Sequence, residues 1–104
     1  MKVLLVCSQG MSSAICAKAL QEAAEKSGID MQVSECSTQA FGEEIKNGYA
    51  IGLVAPQIRH RFDVLKQEAK DAGVPCILIA PQGYTPLGGK KLLAQIKTEL
   101  GELK

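Results

Sequence analysis

Tryptophan is absent from this 104-residue chain and other aromatics are scarce, with two Phe and two Tyr. Any core must therefore be filled by Val, Ile, Leu and Ala. A hydrophobic fraction of 46% suffices for one domain and argues against disorder. An excess of either charge is also lacking: 12 Lys and Arg stand against 11 Asp and Glu, a formal net charge of +1. That balance excludes a large basic footprint for nucleic acid and a polybasic membrane patch. No apolar run approaches the ~18 residues of a membrane span. The opening residues 1–6 run into Cys7-Ser8-Gln9-Gly10 without the small-residue cleavage site of a signal peptide, so a cytoplasmic location is expected. The four cysteines, Cys7, Cys16, Cys36 and Cys76, make no C-x-x-C pair, and His60 is the single histidine. Neither a zinc site nor a thioredoxin-type redox pair is supported, and no metal or cofactor is expected.

What the chain does have is a fourfold alternation of strand-like and helix-like patterns. Residues 3–7 and 49–55 are continuous apolar runs, as in strands buried on both faces. Residues 31–36 alternate more, as an edge strand would, and residues 76–80 form a fourth strand. A helix is expected from about Ser12 to Ser27, closed by Gly28. A short, weak helix covers residues 38–46, with Phe41 and Ile45 four apart. Ile58, Phe62, Leu65, Ala69 and Ala72 recur at three- and four-residue steps, one face of a third helix. Leu93, Ile96, Leu100 and Leu103 mark the last. The order β-α-β-α-β-α-β-α predicts an α/β fold, a four-stranded parallel sheet with helices on both faces, in a single domain spanning residues 1–104.

In such sheets ligands bind beyond the carboxyl ends of the strands. Cys7 occupies that place on the first strand. The segment Cys7-Ser8-Gln9-Gly10-Met11-Ser12-Ser13 joins the strand to a helix. Gly10 is suited to a left-handed turn, and Ser12 and Ser13 suit the cap region. Such a turn aims backbone N–H groups and the positive helix end at one spot, an anion cradle that stabilises negative charge on sulfur or on a phosphate carried by it. The plain alternative is a buried structural cysteine. For Cys16, Cys36 and Cys76, on a core helical face, an edge strand and an apolar strand, the structural reading is preferred. His60, between Arg59 and Arg61, reads as a solvated surface residue.

At these residues the sequence resembles the IIB component of the lactose/cellobiose class of the bacterial sugar phosphotransferase system. The likeness is carried by Cys7-Ser8-Gln9-Gly10-Met11-Ser12-Ser13, by Pro56-Gln57-Ile58 after the third strand, and by Tyr84 in the loop after the fourth. Gln9 departs from the small residue common in that family, and Gly88 stands where an acidic or amide residue is usual. The resemblance implies the strand order 2-1-3-4, a fold like that of low-molecular-weight tyrosine phosphatases. It also implies that Cys7 takes a phosphoryl group from a phosphohistidine on a IIA partner. The group then passes to a β-linked disaccharide entering through a membrane IIC partner. The backbone of Ser8, Gln9, Gly10, Met11, Ser12 and Ser13 would form the phosphate cradle. Met11, Pro56, Gln57 and Tyr84 would gather around the sulfur as a docking face on a monomer.

The rival is a low-molecular-weight tyrosine phosphatase or arsenate reductase. A phosphatase needs an Arg six residues beyond the cysteine to clamp phosphate, and that position is Ser13. It also needs an Asp as general acid, and Asp30, Asp63 and Asp71 do not fall at strand ends. A receiver or nucleotide-binding module would need clustered strand-end acids or a glycine-rich fingerprint, and neither is present.

Overall fold

The computed structural model describes residues 1–7, 10–84 and 88–101, with the backbone alone at 10–13. Strands β1 (Lys2–Val6), β2 (Gln32–Cys36), β3 (Ile51–Val54) and β4 (Cys76–Leu78) form one parallel sheet in the order β2-β1-β3-β4. Between and after them run helices α1 (Gly10–Lys26), α2 (Phe41–Glu44), α3 (Phe62–Asp71) and α4 (Gly89–Leu100). Short 3-10 segments span Pro56–Arg61 and Pro81–Gly83.

The central strand explains the unbroken apolar run. Val3, Leu4, Leu5 and Val6 are wholly buried because β1 is covered on both faces and paired on both edges. Val3 and Leu5 pack with α1 and α4 through Leu20, Ala24, Leu92 and Ile96. Leu4 and Val6 pack on the other face with Phe41, Ile45, Leu65 and Ala69. Each flank of the sheet is thus a separate apolar cluster, and the helices lie on both faces as the alternation predicts. The glycine in β3 has a packing reason: a Cβ on Gly52 would come within 3.0 Å of the Phe41 ring.

Both open sheet edges are met by glutamines from the covering helices. The Val33 N–H donates to Gln21 Oε1 at 3.3 Å. At the other edge the Ala80 N–H donates to Gln95 Oε1 at 3.1 Å, and Gln95 Nε2 donates to the Leu78 carbonyl at 2.7 Å. These contacts occupy backbone groups that would otherwise be free to pair with another strand.

Three expectations need correction. Helix α1 begins at Gly10 rather than Ser12, so Gly10 is helical, and among the described residues the left-handed glycines are Gly28, Gly48, Gly73 and Gly101. Ser12 and Ser13 therefore lie inside the first turn rather than at a cap, and Ser8 and Gln9 lie outside the described residues. Ile58 is buried as the periodicity required, yet its φ of −115° and ψ of 27° are not helical. Pro56 follows extended Ala55 directly, its ring starts a 3-10 turn, and the regular helix forms only from Phe62. At the C-terminus Gly101 turns left-handed at φ 71° and closes α4 after Leu100; Leu103 lies outside the described residues.

Helices α1 and α4 touch most closely at Gly89, where a Cβ would collide with the backbone carbonyl of Ala19. Backbone cannot retreat as a flexible side chain can. Gly89→Ala is expected to lower unfolding free energy by about 1–3 kcal/mol, the usual cost of overpacking. Urea denaturation checks this; an unchanged midpoint would show that the helices part freely.

Candidate functional site

Cys7 follows the last residue of β1 and is 7% exposed. Two hydrogen bonds from the sheet fix the chain at this point. The Cys7 N–H donates to the Cys36 carbonyl at 3.2 Å, and the Ala55 N–H donates to the Val6 carbonyl at 3.1 Å. Cys7 is thereby held between the ends of β2 and β3, where the direction of winding reverses. Helix α1 begins three residues later. The N–H groups of the first three helical residues have no acceptor within the helix, so those of residues 10–12 are turned toward this end of the sheet. No acidic side chain occupies the first turn of α1 to compete for them. Ser8 and Gln9 lie outside the described residues, as do the side chains of Gly10, Met11, Ser12 and Ser13.

The loops after β3 and β4 reach the same end of the sheet. Pro56 is half-buried and Gln57 exposed immediately beyond β3. Tyr84 is half-buried and packs against the clusters on both flanks. In the second of these clusters its partners include Cys7. Burial first, then the charges of Cys7, Cys16 and Glu35, pushes the Tyr84 phenol up to about 12. The residue is thus packed beside Cys7 rather than standing at the rim of the site.

Three neighbours of the site were not assigned to it by sequence. The Cys16 thiol is pushed up to about 11 by burial, then by the Glu35 carboxylate and Cys7. The Cys36 thiol is pushed up to about 12 by burial, then by Glu44 and Cys7. Glu35, paired with Leu5 across the sheet, is exposed beside both Cys16 and Tyr84. Its place one residue before the end of β2 was the only available signal, since a single strand-end acid is common. Cys76 is remote in its causes: burial raises it to about 12 and Lys66 opposes. Arg59, His60 and Arg61 are all exposed, as the surface reading requires. Among the described residues no group of His, Cys, Asp or Glu is arranged to hold a metal ion. No helix of the described residues is long and apolar enough to cross a membrane.

The fold defines the class: a doubly wound four-stranded parallel α/β domain with a cysteine between its central strand and its first helix. Sequence comparison narrows the class. The profile of the family described as "PTS system, Lactose/Cellobiose specific IIB subunit" matches residues 2–95, and the chain belongs to this family of phosphotransferase system proteins. It is 28% identical over 96 residues to the galactose-specific EIIB component of Lactococcus lactis subsp. cremoris, covering 88% of this chain and 89% of that one. It is 32% identical over 101 residues to the lactose-specific EIICB component of Streptococcus mutans, covering 93% of this chain and 17% of that longer protein. The fold matches the lactose-specific IIB domain of Streptococcus pneumoniae with a TM-score of 0.81 at 23% identity, over 95% of this chain and 96% of that one. IIB components are phosphotransferases that work with IIA and IIC partners.

The raised thiols and phenol carry a stability consequence. In the unfolded chain they lose protons near their ordinary values of 9.0 for Cys and 10.0 for Tyr; in the folded chain they hold them to about 11 or 12. The folded state binds more protons in that window, so their contribution is complete below about pH 9 and lost as pH rises towards 12. Urea midpoints should fall steadily above about pH 9, and less steeply in Cys76→Ala. A midpoint that rises through this window would contradict the assignment.

Proposed function

We propose that the chain, as a single cytoplasmic and monomeric phosphocarrier domain, accepts a phosphoryl group on Cys7 from a IIA phosphohistidine. It then delivers the group to a β-linked disaccharide brought by a membrane IIC partner. The carrying observation is the position of Cys7: clamped at the end of the central strand, beside a helix N-terminus free of acidic side chains. In the first step the Cys7 sulfur attacks phosphorus as a thiolate, the S–P bond forms, the N–P bond breaks, and the imidazole leaves with the bonding pair. In the second, a sugar hydroxyl oxygen attacks the same phosphorus, the S–P bond breaks, and the thiolate is regenerated; the hydroxyl proton leaves to a base of the partner or to water.

The N–H groups of residues 10–12 favour the anionic phosphoryl group in both steps, with Ser8, Gln9 and the hydroxyl-bearing Ser12 and Ser13 completing the cradle. The Tyr84 phenol, held protonated by its surroundings, is available as a donor to a phosphoryl group on the neighbouring sulfur. Hydrolysis is disfavoured by composition. Position 13 is Ser, so no guanidinium clamps the phosphate there, and Asp63 and Asp71 belong to α3 rather than to a strand end. The carrier reading therefore outweighs the phosphatase one.

Docking is assigned to the face around Cys7. Pro56, Gln57 and Tyr84 share the carboxyl end of the sheet, and Met11 follows from its place in the first turn of α1. A flexible Met suits a surface that must meet two partners in turn.

Incubation with a phosphorylated IIA partner should add one phosphate, about 80 Da. Cys16→Ala, Cys36→Ala and Cys76→Ala should retain it and Cys7→Ser should lose it. In the same experiment, followed in time by rapid quench, Met11→Asp should transfer slowly with its circular dichroism intact. Full labelling of Cys7→Ser would sink the phosphocysteine assignment, and wild-type rates in Met11→Asp would remove that residue from the docking face.

A further inference from the structure

Cys36 has no role in the transfer just described, yet it is the strand-end neighbour of Cys7. The register pairs Val6 with Cys36, and the Cys7 N–H donates to the Cys36 carbonyl at 3.2 Å. Neighbouring strands lie about 4.8 Å apart, and one residue of stagger adds about 3.3 Å along the strand, so the two Cα atoms are about 6 Å apart. Disulfides span Cα separations of roughly 4.4–6.8 Å. Both cysteines also pack with the same apolar cluster, the one built on Phe41, Ile45 and Leu65. Cys16 belongs to the cluster on the opposite flank.

We propose that Cys7 and Cys36 form a modification site for hydroperoxides, closing a reversible disulfide that takes the phosphoryl acceptor out of use. The Cys7 thiolate attacks the distal peroxide oxygen, the O–O bond breaks, and hydroxide or alkoxide leaves, giving a sulfenic acid at Cys7. The Cys36 sulfur then attacks the sulfenic sulfur. The S–S bond forms, the S–O bond breaks, and the Cys36 proton and the hydroxyl group leave as water. Overall the peroxide is reduced by two electrons and the two thiols are oxidised by two.

The surroundings set the order of the steps. Cys36 is held as a thiol by burial and by the charges of Glu44 and Cys7. It is therefore the resolving partner rather than the first target. A site that admits a phosphoryl group at Cys7 also admits a small peroxide, whereas Cys76, at the start of β4 and level with Leu4 of β1, lies away from that end of the sheet. The pairing of the two cysteines stands on the strand register and the cluster they share; the access of peroxide and the consequence for transfer rest on the function proposed above.

The test is non-reducing peptide mapping of the full chain after treatment with hydrogen peroxide. Trypsin leaves Cys7 and Cys16 together in residues 3–18 and Cys36 in residues 27–46. The expected product is these two peptides joined, with the loss of two hydrogens, in the wild type and equally in Cys16→Ala. Phosphoryl acceptance should vanish with the bridge and return with dithiothreitol. In Cys36→Ala, acceptance should be normal before peroxide, and after it Cys7 should advance to sulfinic acid that dithiothreitol does not recover. A bridge confined to residues 3–18, or sulfinic acid at Cys7 in the wild type without any bridge, would overturn the proposal. A bridge that forms in a reduced protein unable to accept phosphate would instead contradict the transfer function and leave the dithiol standing.

Discussion

Hydrogen bonding along both edges of β1 is the constraint on which the remaining arrangement depends. With β2 on one side and β3 on the other, the strand cannot slide without exposing Val3, Leu4, Leu5 or Val6, all wholly buried. Its register therefore fixes Cys7 relative to Cys36, Ala55 and the first turn of α1. A residue at the end of an edge strand would have one neighbour and a loosely held backbone. Cys7 has two, and the chemistry proposed for it asks for a nucleophile that is already in place when a partner arrives.

The helices set what surrounds that fixed point. Helix α1 returns over one face of the sheet, so its N-terminus faces the strand end from which it came. Helix α4 holds α1 down through the close approach of Gly89 to Ala19 and keeps the β4 edge through Gln95. The loop that carries Tyr84 lies between β4 and α4, and Tyr84 touches both apolar clusters. A change deep in the α1–α4 contact is thus connected to the phenol beside the sulfur by a short chain of packed groups.

Much of this was legible in sequence, for identifiable reasons. Buried parallel strands write themselves as unbroken apolar runs, so β1 and β3 could be read directly, and the strand-end position of Cys7 followed. The stripe of Ile58, Leu65 and Ala69 was correct as to burial because burial is what periodicity reports. It misjudged the backbone at Ile58, since Pro56 imposes a 3-10 turn that leaves the same side chain pointing inward. The start of α1 was placed two residues late because serine signals a cap, while Gly10 and Met11 are taken into the first turn. The neighbours of the sulfur were less legible. Cys36 meets Cys7 only through the pairing of β1 with β2, and Tyr84 reaches it only through the path of a loop. Both are contacts between residues far apart in the chain that no local pattern encodes.

Phosphorus NMR of the chain after phosphorylation by a IIA partner tests the central claim most directly, because sulfur-bound and nitrogen-bound phosphate resonate at distinct positions. The account predicts one S-phosphate resonance, sharp enough to report a single held environment and missing from Cys7→Ala. A resonance of nitrogen-bound phosphate that disappears in His60→Ala, with no S-phosphate signal, would contradict it.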